Sequence, residues 1–132
     1  MVHLWDSKTG VLWLTMEGHA GSVWVMRAAP DGEKVCSSSF DKTVRLWDVS
    51  TGIKLKCFTG HTKSVWLVDM TLDGSVIVLR SYDNTICMWN VASVECTHTL
   101  EGHTNIVCAV CLSADKKSMF SKKTIISSKI RW

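Results

Sequence analysis

The stretch GHAGSVWVMRAAPDGEKVCSSSFDKTVRLW, residues 18–47, returns 42 positions later as GHTKSVWLVDMTLDGSVIVLRSYDNTICMW, residues 60–89. Laying residues 5–46 over 47–88 without a gap matches 14 of 42 positions. Working outward, Gly18-His19, Gly60-His61 and Gly102-His103 keep one register along the chain. Trp5-Asp6, Trp47-Asp48 and Trp89-Asn90 run with them, and Trp132 closes the series one residue late. A period in the forties carrying Gly-His and Trp-Asp marks an array of small sheets, each too thin to bury its own faces.

Within one period the local chemistry is that of strands. Gly10–Met16 reads as a strand leading to the Gly18-His19 corner, Val23–Ala28 as a second, closed by the turn Pro30-Asp31-Gly32. Val35–Ser39 makes a third, and Asp41-Lys42 turns the chain into Thr43–Trp47. The next period copies the plan with Val65–Met70, Leu72-Asp73-Gly74, Val76–Ser81, and Asp83-Asn84 into Thr85–Trp89. Short β-branched and aromatic runs broken by Gly, Pro and Asp predict an all-β protein. Val23, Met26 and Ala28, like Val65, Val68 and Met70, are expected to face the core.

These residues resemble the WD-repeat (WD40) β-propeller family, over nearly the whole chain. The resemblance implies one WD-repeat domain, residues 1–132, with repeats at about 5–47, 48–89 and 90–132. It implies an all-β partial propeller of about three four-stranded antiparallel blades. Propellers have about 4–8 blades, so one chain with three does not close a ring. Unsealed ends expose apolar side chains and strand edges. Three completions follow: two copies joined head to tail, missing repeats of a longer propeller, or docking on another protein's blades. Truncation is the preferred expectation, because the third repeat is eroded: no Asp lies in its turn region, and Ser118–Lys129 contains only Ser, Lys, Thr, Met, Phe and Ile.

The resemblance also implies a hydrogen-bond chain inside each blade, in which an acid accepts from the imidazole and a hydroxyl joins the other ring nitrogen to the indole N–H. The matching residues are His19, Ser37, Asp41 and Trp47, a complete set. The second repeat has His61, Asp83 and Trp89, but Leu79 stands at the hydroxyl position, so its chain breaks there unless Ser81 or a water substitutes. The third retains His103 and Trp132. His, Ser and Asp together invite a catalytic reading, yet they recur beside Trp once per repeat, as a structural tie does and a single active site does not.

Partner contacts in this family cluster at fixed offsets from the His and before the turn Asp. Carried over, these are Ser22, Trp24 and Phe40, then Ser64, Trp66 and Tyr82, with Ile106 and Cys108 in the third repeat. Large aromatics at such positions suit a peptide segment of another protein. The competing reading packs Trp24 and Trp66 between blades.

Composition narrows the remaining classes. No Gly-rich phosphate loop and no metal-spaced cluster occurs, so no cofactor and no metal is expected, and the chain is read as non-enzymatic. Cys108-x-x-Cys111 has redox spacing, but an odd separation within one strand sends side chains to opposite faces unless a bulge intervenes. Apolar runs are too short to span a membrane. The chain enters a repeat at once, leaving no room for a secretory signal, and six cysteines then read as reduced thiols in a cytoplasmic or nuclear protein. Net charge is +3, yet residues 116–132 carry six bases and no acid. That segment reads as a solvated end rather than a nucleic-acid site, since no aromatics interleave for base stacking. The expected function is a scaffold or adaptor module. The alternative is a self-associating half-propeller, or a fragment of a larger WD-repeat protein.

Overall fold

A computed structural model describes the backbone of residues 1–71, 73–101, 107–112, 118–123 and 127–131, and the side chains of residues 1–66, 69–71 and 73–101. The secondary structure is all strand, with no helix among the described residues. Two antiparallel sheets have four strands. The first holds β3 (Val23–Ala28), β4 (Lys34–Ser39), β5 (Val44–Asp48) and β6 (Lys54–Phe58). The second holds β7 (Val65–Met70), β8 (Val76–Ser81), β9 (Ile86–Asn90) and β10 (Glu95–Leu100), in simple meander order. Before them, β1 (Val2–Trp5) pairs with β2 (Leu12–Met16); after them, β11 (Val107–Leu112), β12 (Ser118–Lys123) and β13 (Ser127–Arg131) form a three-stranded sheet. The sheets do not close into a ring.

Turn chemistry sets these boundaries. Asp48 Oδ1 accepts from the backbone amides of Ser50 and Thr51, each at 2.9 Å, and folds the chain from β5 back into β6. Asp6 does the same through Lys8 and Thr9, and Asn90 through Ala92 and Ser93. The polar residue after each Trp is therefore a turn cap, and Asn serves because only an acceptor oxygen is required.

Packing runs from sheet to sheet. Cys36, Val44, Leu46 and Phe58 of the first four-stranded sheet meet Val65, Ile77, Leu79, Cys87 and Trp89 of the second. Trp47 meets Val2 and Met16 of the β1–β2 sheet in the same manner. Met16 and Phe58, one period apart, lie against the Trp of the following strand set, with Phe58 and Trp89 edge to face at 5.7 Å. Each indole thus keys its sheet to the preceding one.

The core expectation for β3 fails in part. Met26 is 39 % exposed and Ala28 is exposed. The sheet on that side contributes two strands only, and β3 meets another sheet mainly through β7. The last sheet also departs from the repeat. Val35 pairs with Trp47 and Ile77 with Trp89, but Met119, the equivalent position, pairs with Ile130. Three residues separate β12 from β13, against four between β4 and β5 and between β8 and β9. The shorter connection moves the register by one, so Ile130 takes the slot opposite Met119. Lys122, Lys123, Lys129 and Arg131 lie in these paired strands.

Glycine precedes each described corner His for a backbone reason. Gly18 and Gly60 have φ of 146° and 143°, a region that side chains disfavour, and the Trp47 and Trp89 rings lie against them. Gly60→Ala should cost about 1–3 kcal/mol, read as a lower urea midpoint with an unchanged slope. A midpoint equal to wild type would show that the corner relaxes freely.

Candidate functional site

Two structures sit at the same end of the sheets: an internal hydrogen-bond circuit and, above it, a row of aromatic rings. In the first four-stranded sheet the circuit is continuous. Trp47 Nε1–H donates to Ser37 Oγ at 2.7 Å, and Ser37 Oγ lies 2.7 Å from His19 Nε2. His19 Nδ1 lies 2.9 Å from Asp41 Oδ2, which also accepts from the Ala20 amide at 3.0 Å. The carboxylate can only accept, so Nδ1–H donates to it; the neutral ring then accepts at Nε2 from the Ser37 hydroxyl, whose oxygen accepts from the indole. Asp41 Oδ1 is held by the Thr43 amide at 3.0 Å and the Thr43 hydroxyl at 2.6 Å.

The second four-stranded sheet keeps half of this. His61 Nδ1 lies 3.0 Å from Asp83 Oδ2, and Asp83 Oδ1 accepts from the Thr85 amide and hydroxyl. Leu79, 1 % exposed, occupies the place of Ser37. His61 Nε2 and Trp89 Nε1 are buried and have no partner. Ser81 does not substitute, because its hydroxyl donates to the Lys63 and Ser64 carbonyls, each at 3.2 Å. His103 and Trp132 lie outside the described residues, as does Ile106.

Ser37 has no exposed surface, and its oxygen is engaged by Trp47 and His19, so it is not presented to a substrate. Burial also pushes the Cys36 thiol up to about 12 and the Cys87 thiol up to about 11, away from thiolate reactivity. Among the described residues no group of His, Cys, Asp and Glu is arranged to hold a metal ion. The backbone pairing of β11 with β12 shifts register between Val107 and Ala109, and the side chains of Cys108 and Cys111 lie outside those described.

The aromatic row owes its place to β-bulges. The register of β3 on β4 shifts between Val23 and Val25, and that of β7 on β8 between Val65 and Leu67. Trp24 and Trp66 are the extra residues, and a bulge re-aims the side chain it frees. Phe40 stacks on Trp24 at 6.4 Å, Trp24 meets Trp66 at 5.3 Å, and Trp66 meets Tyr82 edge to face at 5.1 Å. The row crosses from one sheet to the next. Backbone bonds from the Phe40 amide to the Ser22 carbonyl, and from the Tyr82 amide to the Ser64 carbonyl, hold its two halves. Ser64 Oγ reaches the Phe40 carbonyl at 3.4 Å and joins them.

Within the row the rings differ. Phe40 is 60 % exposed and Trp24 is 45 % exposed. Trp66 lies half-buried between Trp24 and Tyr82, with the Arg80 guanidinium 4.8 Å over its ring. An open groove of about 730 Å³ runs beside the row, lined by Trp24, Phe40, Tyr82, Lys42, Lys63 and Asn84 among others. The sequence reading assigned the aromatic positions but neither lysine. It also passed over Thr43 and Thr85, although both are identical across the two repeats, which was the available signal.

Four-stranded antiparallel sheets, stacked face to face and keyed by one Trp each, define a propeller-type repeat protein. The family model for the WD domain, G-beta repeat (WD40), matches residues 10–48, 52–90 and 94–122, and the chain belongs to that family. No curated protein matches the chain. WD40 repeats in general build non-catalytic scaffolds that bind other proteins. Among the described residues no helix is long and apolar enough to cross a membrane.

Two expectations test the circuit. Leu79→Ser and Leu79→Ala remove similar volumes, but the serine hydroxyl meets the orphaned Trp89 and His61 nitrogens. The serine variant should be the more stable by about 1–2 kcal/mol, measured by chemical denaturation; equal stability would mean that the two nitrogens are already satisfied. The second expectation concerns pH. Burial raises the Asp83 carboxyl, but hydrogen bonds from Thr85 and His61 outweigh it and hold it at about 2. Asp41 is likewise lowered: burial works upward, and Thr43, His19 and the Ala20 amide overcome it. Burial lowers His19, against the Asp41 hydrogen bond, from its ordinary 6.5. All three groups bind more protons unfolded than folded, so their stabilisation is present at neutral pH. The His19 part fades as pH falls below 6.5 and the carboxylate parts below 3.8. The melting temperature should therefore fall on acidification in those two windows, and a rise between pH 6.5 and 5 would contradict the assignment.

Proposed function

We propose that this chain is a non-catalytic scaffold or adaptor module, and that the aromatic row with its groove receives a peptide segment of another protein. The observation that supports this is the Phe40–Trp24–Trp66–Tyr82 row, which spans two sheets while leaving two large rings in solvent. Large exposed aromatics beside an open groove on a rigid frame are typical binding anchors, because they give contact area at low entropic cost. In this reading Trp66, gripped on three sides by Trp24, Tyr82 and Arg80, supports the platform, and Ser22 and Ser64 fix its backbone. The four described cysteines are free thiols, which suits a reducing intracellular compartment.

A second reading, self-association, draws on the exposed Trp5, Leu12 and Trp13 of the two-stranded sheet and Val11 in its connection. Strand pairing weighs against a head-to-tail ring of two copies. β2 is already bonded to β1, and β1 is the counterpart of β13, so sealing the partner's last sheet with β2 would require β1 to be displaced. The solution mass checks this reading.

The first reading is tested with a display library of random short peptides selected on the full chain. Trp24→Ala combined with Phe40→Ala should lose the selected peptides while shifting stability little, since both rings are exposed. Peptides that bind the double variant as well as wild type would place the binding surface elsewhere.

A further inference from the structure

The groove has a charge as well as a shape. Among the described residues, Lys42 and Lys63 are its charged lining residues, one contributed from each of the two sheets. Lys42 belongs to the turn between β4 and β5, at φ 70°, and Lys63 to the corner preceding β7. Among the described residues no carboxylate lines the groove. The acids of the same two turns, Asp41 and Asp83, point inward, with side chains 10 % and 13 % exposed and every oxygen engaged by His, Thr or backbone amides. A third cation, Arg80, lies beneath, over the Trp66 ring.

This polarity is local. Residues 1–115 contain nine Lys and Arg against twelve Asp and Glu, so the groove is positive on an otherwise acidic stretch. We propose that its partner is an acidic peptide: a segment carrying an Asp or Glu side chain between Lys42 and Lys63, with an adjacent apolar residue on Trp24 and Phe40. The inference rests on the reading of the groove as a docking surface.

Aromatic rows also attract cations, and that alternative is weaker here. Arg80 already covers the Trp66 ring. A ligand cation would approach two lysines with no groove carboxylate to offset them, whereas a ligand carboxylate would form charge-assisted bonds with both. The same lysines would steer an acidic segment toward the groove before contact.

The experiment uses the selected library peptides as probes. Their consensus should be enriched in Asp or Glu. Replacing that residue by Gln in a fluorescent consensus peptide should weaken binding about tenfold at low salt. Lys42→Gln with Lys63→Gln should do the same, remove most of the salt dependence, and leave the melting curve unchanged. A neutral or basic consensus that still depends on Trp24 and Phe40 overturns the acidic assignment while the docking surface stands. A phosphoserine version binding much more tightly than the Glu peptide also overturns it, in favour of a phosphopeptide. Peptides indifferent to Trp24 and Phe40 overturn both readings together.

Discussion

The Asp–His hydrogen bond under each described corner joins two segments 22 residues apart, and the loops that line the groove hang from it. On one side it fixes the corner that carries Ala20 in one repeat, and Thr62 and Lys63 in the next. On the other it fixes the turn that carries Phe40 and Lys42, or Tyr82 and Asn84. Without the tie, two loops on separate strands would be free to move apart, and ordering them on binding would cost entropy. With it, the loops are part of the sheet. Thr43 and Thr85 extend the effect by holding the second carboxylate oxygen, so each Asp is gripped from the turn as well as from the corner.

The circuit and the packing are one device seen from two sides. The indole that ends the circuit is also the ring that keys its sheet to the preceding one, so Trp47 is both a hydrogen-bond donor to Ser37 and a core residue against Met16 and Val2. The second sheet separates these roles. Leu79 adds apolar contact to the core cluster and strands two polar atoms. Burying a leucine side chain is worth roughly 1.5–3 kcal/mol, the same order as the penalty for two unpaired nitrogens. The exchange is nearly balanced, which explains how the substitution coexists with an unaltered β8–β9 register.

Much of this was legible from residues. The period gave the strands to within a residue or two, because Gly, Pro and Asp turns recur with fixed chemistry. Ser37 against Leu79 located the break in the second circuit, because a hydroxyl and an isobutyl group differ in a way a sequence displays. What the sequence hid were matters of neighbours. Met26 and Ala28 alternate like core residues, but their exposure is decided by how many strands the adjoining sheet contributes. Bulges at Trp24 and Trp66 leave no mark in composition, yet they aim both rings. Register in the last sheet turned on one residue fewer between β12 and β13, and it moved Ile130, rather than a Trp, opposite Met119.

Lys42 and Lys63 show why the groove's polarity escaped a reading by repeats. Alignment of the repeats rewards identity, and both positions vary: Lys42 stands where the next repeat has Asn84, and Lys63 where the previous one has Gly21. Circuit positions such as His19 and His61, Asp41 and Asp83, and Thr43 and Thr85 are identical across the two repeats, whereas a surface that recognises one partner is needed once. The groove lies between two sheets and draws one lysine from each, so its charge belongs to neither repeat alone. Selectivity in a repeat protein is therefore sought where the repeats disagree on a shared frame. In this chain two of those disagreements, Lys42 and Lys63, line the groove beside the aromatic row.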